Sequence, residues 1–356
     1  MRGHGAAPPH VISGWTPHPA DTSTRPTGFR GYIEEMFVDL PEPELRSYRS
    51  QQNDPADFDK FWESTIAESR AFDLGVTVAQ VDTGLAMIDV YDVTFSGFGG
   101  QPVKAWLRLP AGATQPLPAV VQFVGYGGGR GRAIDNLLWA AAGYAHFHMD
   151  TRGQGSVASV GDTPDDAASG PQSPGFTTRG IESRETYYYR RVFTDAVRAV
   201  EAARTLDAID ASRVAVLGGS QGGGIALATA ALVPDLTAVF AYVPFLCDFP
   251  RATVITDHEL YKEIGKYLAI HREKLDQVHQ TLSYFDGVNF AKRAKAPAWF
   301  STGLMDVICP PSTVFGAFNN YSGEKHIAVW PYNGHEGGGI DDNALTLTTM
   351  REVFAA

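Results

Sequence analysis

The chain has 356 residues, 44% of them hydrophobic and 19% charged, with a formal net charge of −11. That acidic balance argues against a nucleic-acid partner and an anionic membrane surface, and no apolar run approaches the roughly 18 residues a membrane helix needs. What remains is a soluble globular protein, long enough for one large domain with insertions.

Residues 1–35 are rich in proline, histidine and glycine without periodicity, and read as a disordered extension ahead of a single domain over residues 36–356. No apolar h-region follows Arg2, so no secretory signal is visible, and the two cysteines, Cys247 and Cys309, suit a reducing cytoplasm as free thiols. Further along, Asp57-Phe-Asp-Lys-Phe-Trp-Glu-Ser-Thr-Ile66 places Phe58, Phe61, Trp62 and Ile66 on one face of an amphipathic helix. Tyr91 to Phe98 and Val103 to Leu109 alternate as strands about a glycine-rich turn, a hairpin signature. Near-continuous apolar runs follow at 119–124, 144–149, 214–217, 238–243, 298–301 and 326–330, as expected of parallel strands covered on both faces. Residues 187–206 carry Val192, Ala196, Val200 and Ala203 at helical spacing. Residues 249–286, rich in His, Lys and Tyr, read as a helical insertion near the site. An antiparallel hairpin followed by a parallel β-α alternation is the layout of the α/β-hydrolase fold, a mostly parallel sheet with helices on both faces.

The chemistry is concentrated in Arg213-Val-Ala-Val-Leu-Gly-Gly-Ser-Gln-Gly-Gly-Gly224. Gly218, Ser220 and Gly222 fit the G-x-S-x-G elbow, in which a strand turns sharply into a helix and exposes a serine hydroxyl. A serine hydroxyl is a poor nucleophile until a histidine takes its proton and an acid orients that histidine. Among the downstream histidines, His335 alone follows a strand directly, in the glycine-rich loop Tyr332-Asn-Gly-His-Glu-Gly-Gly-Gly339. His258, His271 and His279 lie in the insertion, and His326 starts a strand. Gly303-Leu-Met-Asp306 closes the preceding strand and makes Asp306 the acid by order and register. Asp306 equally suits an N-cap for a helix starting near Pro310, and Asp248 and Asp286 are rivals that follow no suitable strand. An oxyanion hole needs two backbone N–H donors, expected from Gln221 and from Tyr126 in the loop Val124-Gly-Tyr-Gly-Gly-Gly-Arg-Gly131. That loop lacks the last glycine of a dinucleotide fingerprint, because Arg130 stands there. His146 and His148 alternate on one strand without a third ligand, and the cysteines match no metal spacing, so neither metal nor cofactor is expected.

Asp150-Thr-Arg-Gly-Gln154, Gly218-Gly-Ser-Gln-Gly222 and Gly334-His-Glu336 resemble, in order, the R-G-Q, G-x-S-Q-G and H-E motifs of the seventh carbohydrate esterase family. Its members are acetyl xylan esterases and cephalosporin C deacetylases. The resemblance extends to the stretches at 91–97, 187–195, 244–247 and 282–286, and runs from about Met36 to the C-terminus; residues 1–35 have no counterpart in it. It implies a triad of Ser220, Asp306 and His335, oxyanion donors at Tyr126 and Gln221, and bracing by Arg152, Gln154 and Glu336. It further implies a short acyl pocket including Phe245 and Ile308, and a homohexamer whose sites face an inner chamber. The expected function is deacetylation of small esterified substrates such as acetylated xylo-oligosaccharides. A peptidase or a general carboxylesterase on the same sheet is the competing enzyme reading. A binding protein that has lost catalysis is disfavoured because no triad residue is missing.

Overall fold

The computed structural model describes residues 38–167 and 175–355, so the extension expected at 1–35 lies outside the described residues. Helices α1 (Glu42–Ser47) and α2 (Phe58–Arg70) precede strands β1 (Thr77–Val81), β2 (Ile88–Ser96), β3 (Pro102–Pro110) and β4 (Leu117–Phe123). Then α3 (Leu138–Ala141) leads to β5 (Ala145–Met149), α4 (Tyr188–Arg204) to β6 (Ile209–Gly219), and α5 (Gln221–Leu232) to β7 (Ala238–Tyr242). Helices α6 (Phe249–Ile255), α7 (Tyr261–Ile270), α8 (Leu275–Ser283) and α9 (Gly287–Ala291) follow. The described chain closes with β8 (Ala298–Gly303), α10 (Pro311–Asn320), β9 (Lys325–Trp330) and α11 (Ile340–Val353).

The strands form one sheet in the order β1-β2-β3-β5-β4-β6-β7-β8-β9. The first three pair antiparallel, β3 meets β5 antiparallel, and the pairings from β5 to β9 are parallel. Strands β5 and β8 are buried at every position, which is why they read as near-continuous apolar runs, broken by the buried His146 and His148 in β5 and Ser301 and Thr302 in β8. Edge strand β1 exposes four of its five residues and lacks the one-sided burial that writes a strand into sequence, so its pattern gave no warning of it. The strand order reverses at β4, with β5 on one side and β6 on the other. Open α/β sheets leave a crevice at the carboxyl ends of such strands, and the loop at 124–131 and Ser220 lie there.

Helix α2 buries Phe58, Phe61, Trp62 and Ile66, the face its spacing predicts. Trp62 packs against Phe193, Phe285 and Phe290, and its indole N–H donates to the Tyr284 carbonyl at 2.9 Å. Helix α5 is apolar all round and buried from Gln221 to Ala230, as a helix enclosed by protein should be.

One ion pair ties the sheet's end to helix α4. Arg152, fully buried, donates through Nε to Asp195 Oδ2 at 2.6 Å and through Nη2 to Oδ1 at 2.7 Å. Its Nη1 donates to Gln101 Oε1 at 2.5 Å, and Asp195 Oδ1 also accepts the Phe98 N–H at 2.8 Å. Removing one partner of such a pair leaves a buried charge unmatched. Arg152→Met is therefore expected to lose about 3–5 kcal/mol in urea unfolding, with partial recovery when Asp195→Leu is added. A loss under about 1 kcal/mol would contradict this account of the brace.

Candidate active site

Ser220 links β6 to α5 at φ 55° and ψ −121°, a left-handed geometry that costs a non-glycine residue on the order of 1–3 kcal/mol. Its N–H donates to the Tyr242 carbonyl of β7 at 2.9 Å, and its carbonyl accepts the N–H groups of Phe245 at 2.9 Å and Gly224 at 3.1 Å. The turn closes this tightly because two residues lack side chains. A Cβ at Gly218 would run into the Gly222 backbone, and one at Gly222 into the Phe123 carbonyl of β4.

The loops after β8 and β9 bring the other groups. Gly303 packs against the Asn333 and Gly334 carbonyls, and the Met305 N–H donates to Asn333 O at 3.0 Å, so the two loops travel together. Asp306 Oδ1 accepts the N–H groups of Ile308 at 2.8 Å and Cys309 at 2.9 Å, while Oδ2 lies 2.9 Å from His335 Nδ1. A carboxylate only accepts, so Nδ1 carries the proton and Nε2 presents its lone pair. Nε2 stands 2.9 Å from Ser220 Oγ. Asp306 is fully buried, whereas Ser220 and His335 are half-buried. The carboxylate closes a local turn; the N-cap position of α10 is held by Pro310. The rivals have other partners. Asp286 accepts the N–H groups of Asp248, Phe249 and Val288, and Asp248 accepts the Tyr48 hydroxyl at 2.8 Å. Burial, with Asp248 beside it, pushes the Asp286 carboxyl up to about 7.

Behind the elbow, the Gln154 and Gln221 side chains meet head to head. Gln154 Nε2 donates to Gln221 Oε1 at 2.8 Å and Gln221 Nε2 to Gln154 Oε1 at 3.2 Å. Their remaining capacity is filled by the Gly127 N–H, the Val124 carbonyl and the hydroxyls of Tyr188 and Tyr189. The pair therefore ties the loop after β4 to the start of α5. Among the described residues, neither the Tyr126 nor the Gln221 backbone N–H has an acceptor, which leaves both available to a ligand. Glu336 is exposed and accepts from Asn333 Nδ2 at 3.0 Å, which folds the His335 loop onto itself.

Phe245 is fully buried, edge-on to Tyr126 with ring centroids 6.2 Å apart, and Ile308 is half-buried. His146 and His148 lie elsewhere: buried on β5, stacked at 5.4 Å, in register with Arg108 and Trp106 of β3. Burial and neighbouring positive charge hold both well below the usual histidine range. The described residues that bring three possible metal-ligating atoms together are Asp306, Cys309 and His335. Asp306 and His335 are hydrogen-bonded to each other, Asp306 Oδ1 also accepts the Ile308 and Cys309 N–H groups, and His335 Nε2 lies beside Ser220 Oγ. Burial and Asp306 push the Cys309 thiol far up. Sequence reasoning did not single out Tyr188, Tyr189 or Glu263 for this site. Three consecutive buried tyrosines at the start of a helix each need a hydroxyl partner, which was the available signal.

The family model described as Acetyl xylan esterase (AXE1) matches residues 36–348. The acetyl esterase Axe7A of Xylanibacter ruminicola is 28% identical over 298 residues, which are 82% of this chain and 66% of that protein, so the chain spans about two thirds of this relative's length. The acetyl xylan esterase of Paenibacillus sp. R4 superposes with a TM-score of 0.82 at 38% identity, over 89% of this chain and 99% of the other. Acetyl xylan esterase 1 of Thermoanaerobacterium sp. JW/SL YS485 gives 0.81 at 33%, with the same coverage. An acylaminoacyl peptidase of Pyrococcus horikoshii, at 16% identity and a TM-score of 0.54, shares the α/β-hydrolase fold alone. With the family model spanning nearly the whole described fold, the chain belongs to the acetyl xylan esterase family, a family of carboxylic ester hydrolases.

Proposed function

We propose that the protein removes acetyl groups from small esterified carbohydrates, acetylated xylo-oligosaccharides first among them, through Ser220, His335 and Asp306. The hydrogen-bonded chain from Asp306 through His335 to Ser220 Oγ, two steps of 2.9 Å at a half-buried elbow, carries the reading. Ser220 Oγ attacks the acetyl carbonyl carbon while His335 Nε2 takes its proton, and Asp306 stabilises the imidazolium. The carbonyl oxygen becomes an oxyanion that accepts from the Tyr126 and Gln221 N–H groups. Collapse expels the sugar alkoxide, which leaves with the proton from His335. Water, activated by the same imidazole, then releases acetate and restores Ser220. No cofactor enters this scheme. The acetyl ester of cephalosporin C is a second substrate of the same chemistry.

Ser220→Ala is expected to lower kcat by about four to six orders of magnitude with the unfolding midpoint retained. A folded variant keeping more than about one per cent of activity would remove Ser220 from the role.

Phe245 and Ile308 form one wall of a short acyl pocket in this reading. Each methylene that does not fit costs on the order of 1–3 kcal/mol, roughly 10- to 200-fold in kcat/KM. Acetyl esters should therefore exceed butyryl esters clearly and octanoyl esters by several decades, measured on one alcohol series. A flat or rising profile would favour a general carboxylesterase.

A cytoplasmic homohexamer completes the proposal. The two free, buried thiols suit a reducing compartment, and no helix among the described residues is long and apolar enough to cross a membrane. Sedimentation equilibrium should give six times the chain mass, and oligosaccharides should outperform polymeric xylan at matched acetyl concentration. A monomer that deacetylates both equally would reject the chamber.

A further inference from the structure

The segment Gly125-Tyr126-Gly127-Gly128-Gly129 carries a single side chain. The backbone on the far side of Tyr126 is pinned, with the Gly127 N–H on Gln154 Oε1 and the Gly127 carbonyl accepting from Gly155, Ser156 and Val157. The phenol is thus the side-chain anchor that completes the setting of the Tyr126 N–H in this glycine-rich turn. The anchor is remote in sequence. Tyr126 Oη donates to Glu263 Oε1 at 2.6 Å and accepts the Phe176 N–H at 2.6 Å. Glu263 Oε2 accepts the Thr177 N–H at 3.1 Å and the Thr177 hydroxyl at 2.5 Å. This carboxylate is only 5% exposed, and these donors are all neutral. A carboxylate in that setting is tolerated only with its hydrogen bonds well made. Here they join three segments: the loop after β4, residues 176–177, and helix α7. Space is kept for it, since a Cβ at Gly175 would run into the Glu263 carboxyl group.

Helix α7 is itself fixed to the opposite side of the site. Tyr261 Oη donates to the Cys247 carbonyl at 2.9 Å and accepts the Cys247 N–H at 3.1 Å. Its ring stands edge-on to Phe245 with centroids 4.5 Å apart, and Phe245 meets the Tyr126 ring. The insertion thus grips both the loop after β4 and the loop after β7. Burial, reinforced by Glu263, holds the Tyr126 phenol far above its ordinary range, so it stays a neutral donor.

We infer that Glu263 is a positioning residue for ester hydrolysis: it fixes the Tyr126 phenol and, through it, the backbone N–H that faces the developing oxyanion. The inference rests on the oxyanion role given to Tyr126 above. An interaction of this kind acts in the transition state more than in substrate binding. Glu263→Gln keeps the side chain's size but forces an amide against Tyr126 or Thr177. It is expected to lower kcat by about 10- to 100-fold while KM stays within about two-fold, a fraction of what losing a whole oxyanion donor costs. The rate at which a p-nitrophenyl phosphonate modifies Ser220 should fall in parallel, because the phosphoryl oxygen of the adduct needs the same hole. Tyr126→Phe should show the same split. The double variant should lose no more than the worse single one, since both break one link.

Wild-type kcat in folded Glu263→Gln, or a change confined to KM or to the unfolding midpoint, would overturn the inference. Should Glu263→Gln fail to fold, Tyr126→Phe decides alone, and unchanged kcat there is equally fatal. Retained activity in Ser220→Ala would instead sink the serine-esterase reading, whatever the Glu263 variant does.

Discussion

At Ser220 the chain is bent into φ 55° and ψ −121°, and much of the surrounding structure can be traced to keeping it there. The conformation is unfavourable by on the order of 1–3 kcal/mol, so it persists only where neighbours over-determine it. Three backbone hydrogen bonds reach the residue, from its own helix, from β7 and from the turn after β7. They require α5 to start within contact of β4 and of the turn at 244–246, which explains the run of glycines. Gly222 passes the Phe123 carbonyl and Gly224 passes the Phe245 carbonyl, neither with room for a methyl group. The strain also has a use. A relaxed strand-to-helix loop would lay the serine side chain along the sheet, whereas this turn lifts it to His335.

Around the elbow, polar groups are satisfied by one another with little left over. The Gln154 and Gln221 amides exhaust each other's donors and acceptors together with two tyrosine hydroxyls and two backbone groups. A paired amide core of this kind specifies geometry, because any shift leaves a buried donor unmatched, at about 1–3 kcal/mol each. Arg152 performs the related task one residue pair away, reaching Asp195 on α4 with both prongs of its guanidinium while its carbonyl accepts the Tyr188 hydroxyl. Lysine could not replace that two-pronged contact.

How much of this was legible follows from where the signal resides. Central strands buried on both faces write themselves as apolar runs, and the elbow glycines flanking Ser220 are required by close backbone approach. The fold class and the Ser220 motif were therefore readable. Chain order and the rule that active groups follow strands single out His335 and Asp306, and the structure brings both side chains into one hydrogen-bonded chain with Ser220. Edge strand β1, exposed on nearly all its length, carried no burial pattern to find. Glu263 was illegible for a different reason. Acidic residues on helices usually face solvent, and its neighbours Tyr261, Ile264 and Tyr267 mark a buried face without showing that a carboxylate shares it. Only a partner 137 positions away, the Tyr126 phenol, makes its place sensible.

Buried carboxylates recur at the carboxyl end of the sheet, and they share a physical logic. Loops that leave parallel strands carry backbone N–H groups with no ladder to join, and a carboxylate can accept several at once. Asp150 takes the N–H groups of Arg130, Thr151, Asp162 and Thr163. Asp286 takes three after β7, and Asp342 gathers Gly338, Ser301 and Trp330 near β9. Asp306 belongs to the same set, since one of its oxygens does nothing but close a turn. What separates it from the others is the partner on its second oxygen. That partner is the imidazole of His335, whose far nitrogen lies beside the hydroxyl of the strained Ser220. Loop stapling and the hydrogen-bonded chain to Ser220 thus share one carboxylate, and Asp306 differs from its structural neighbours by a single contact.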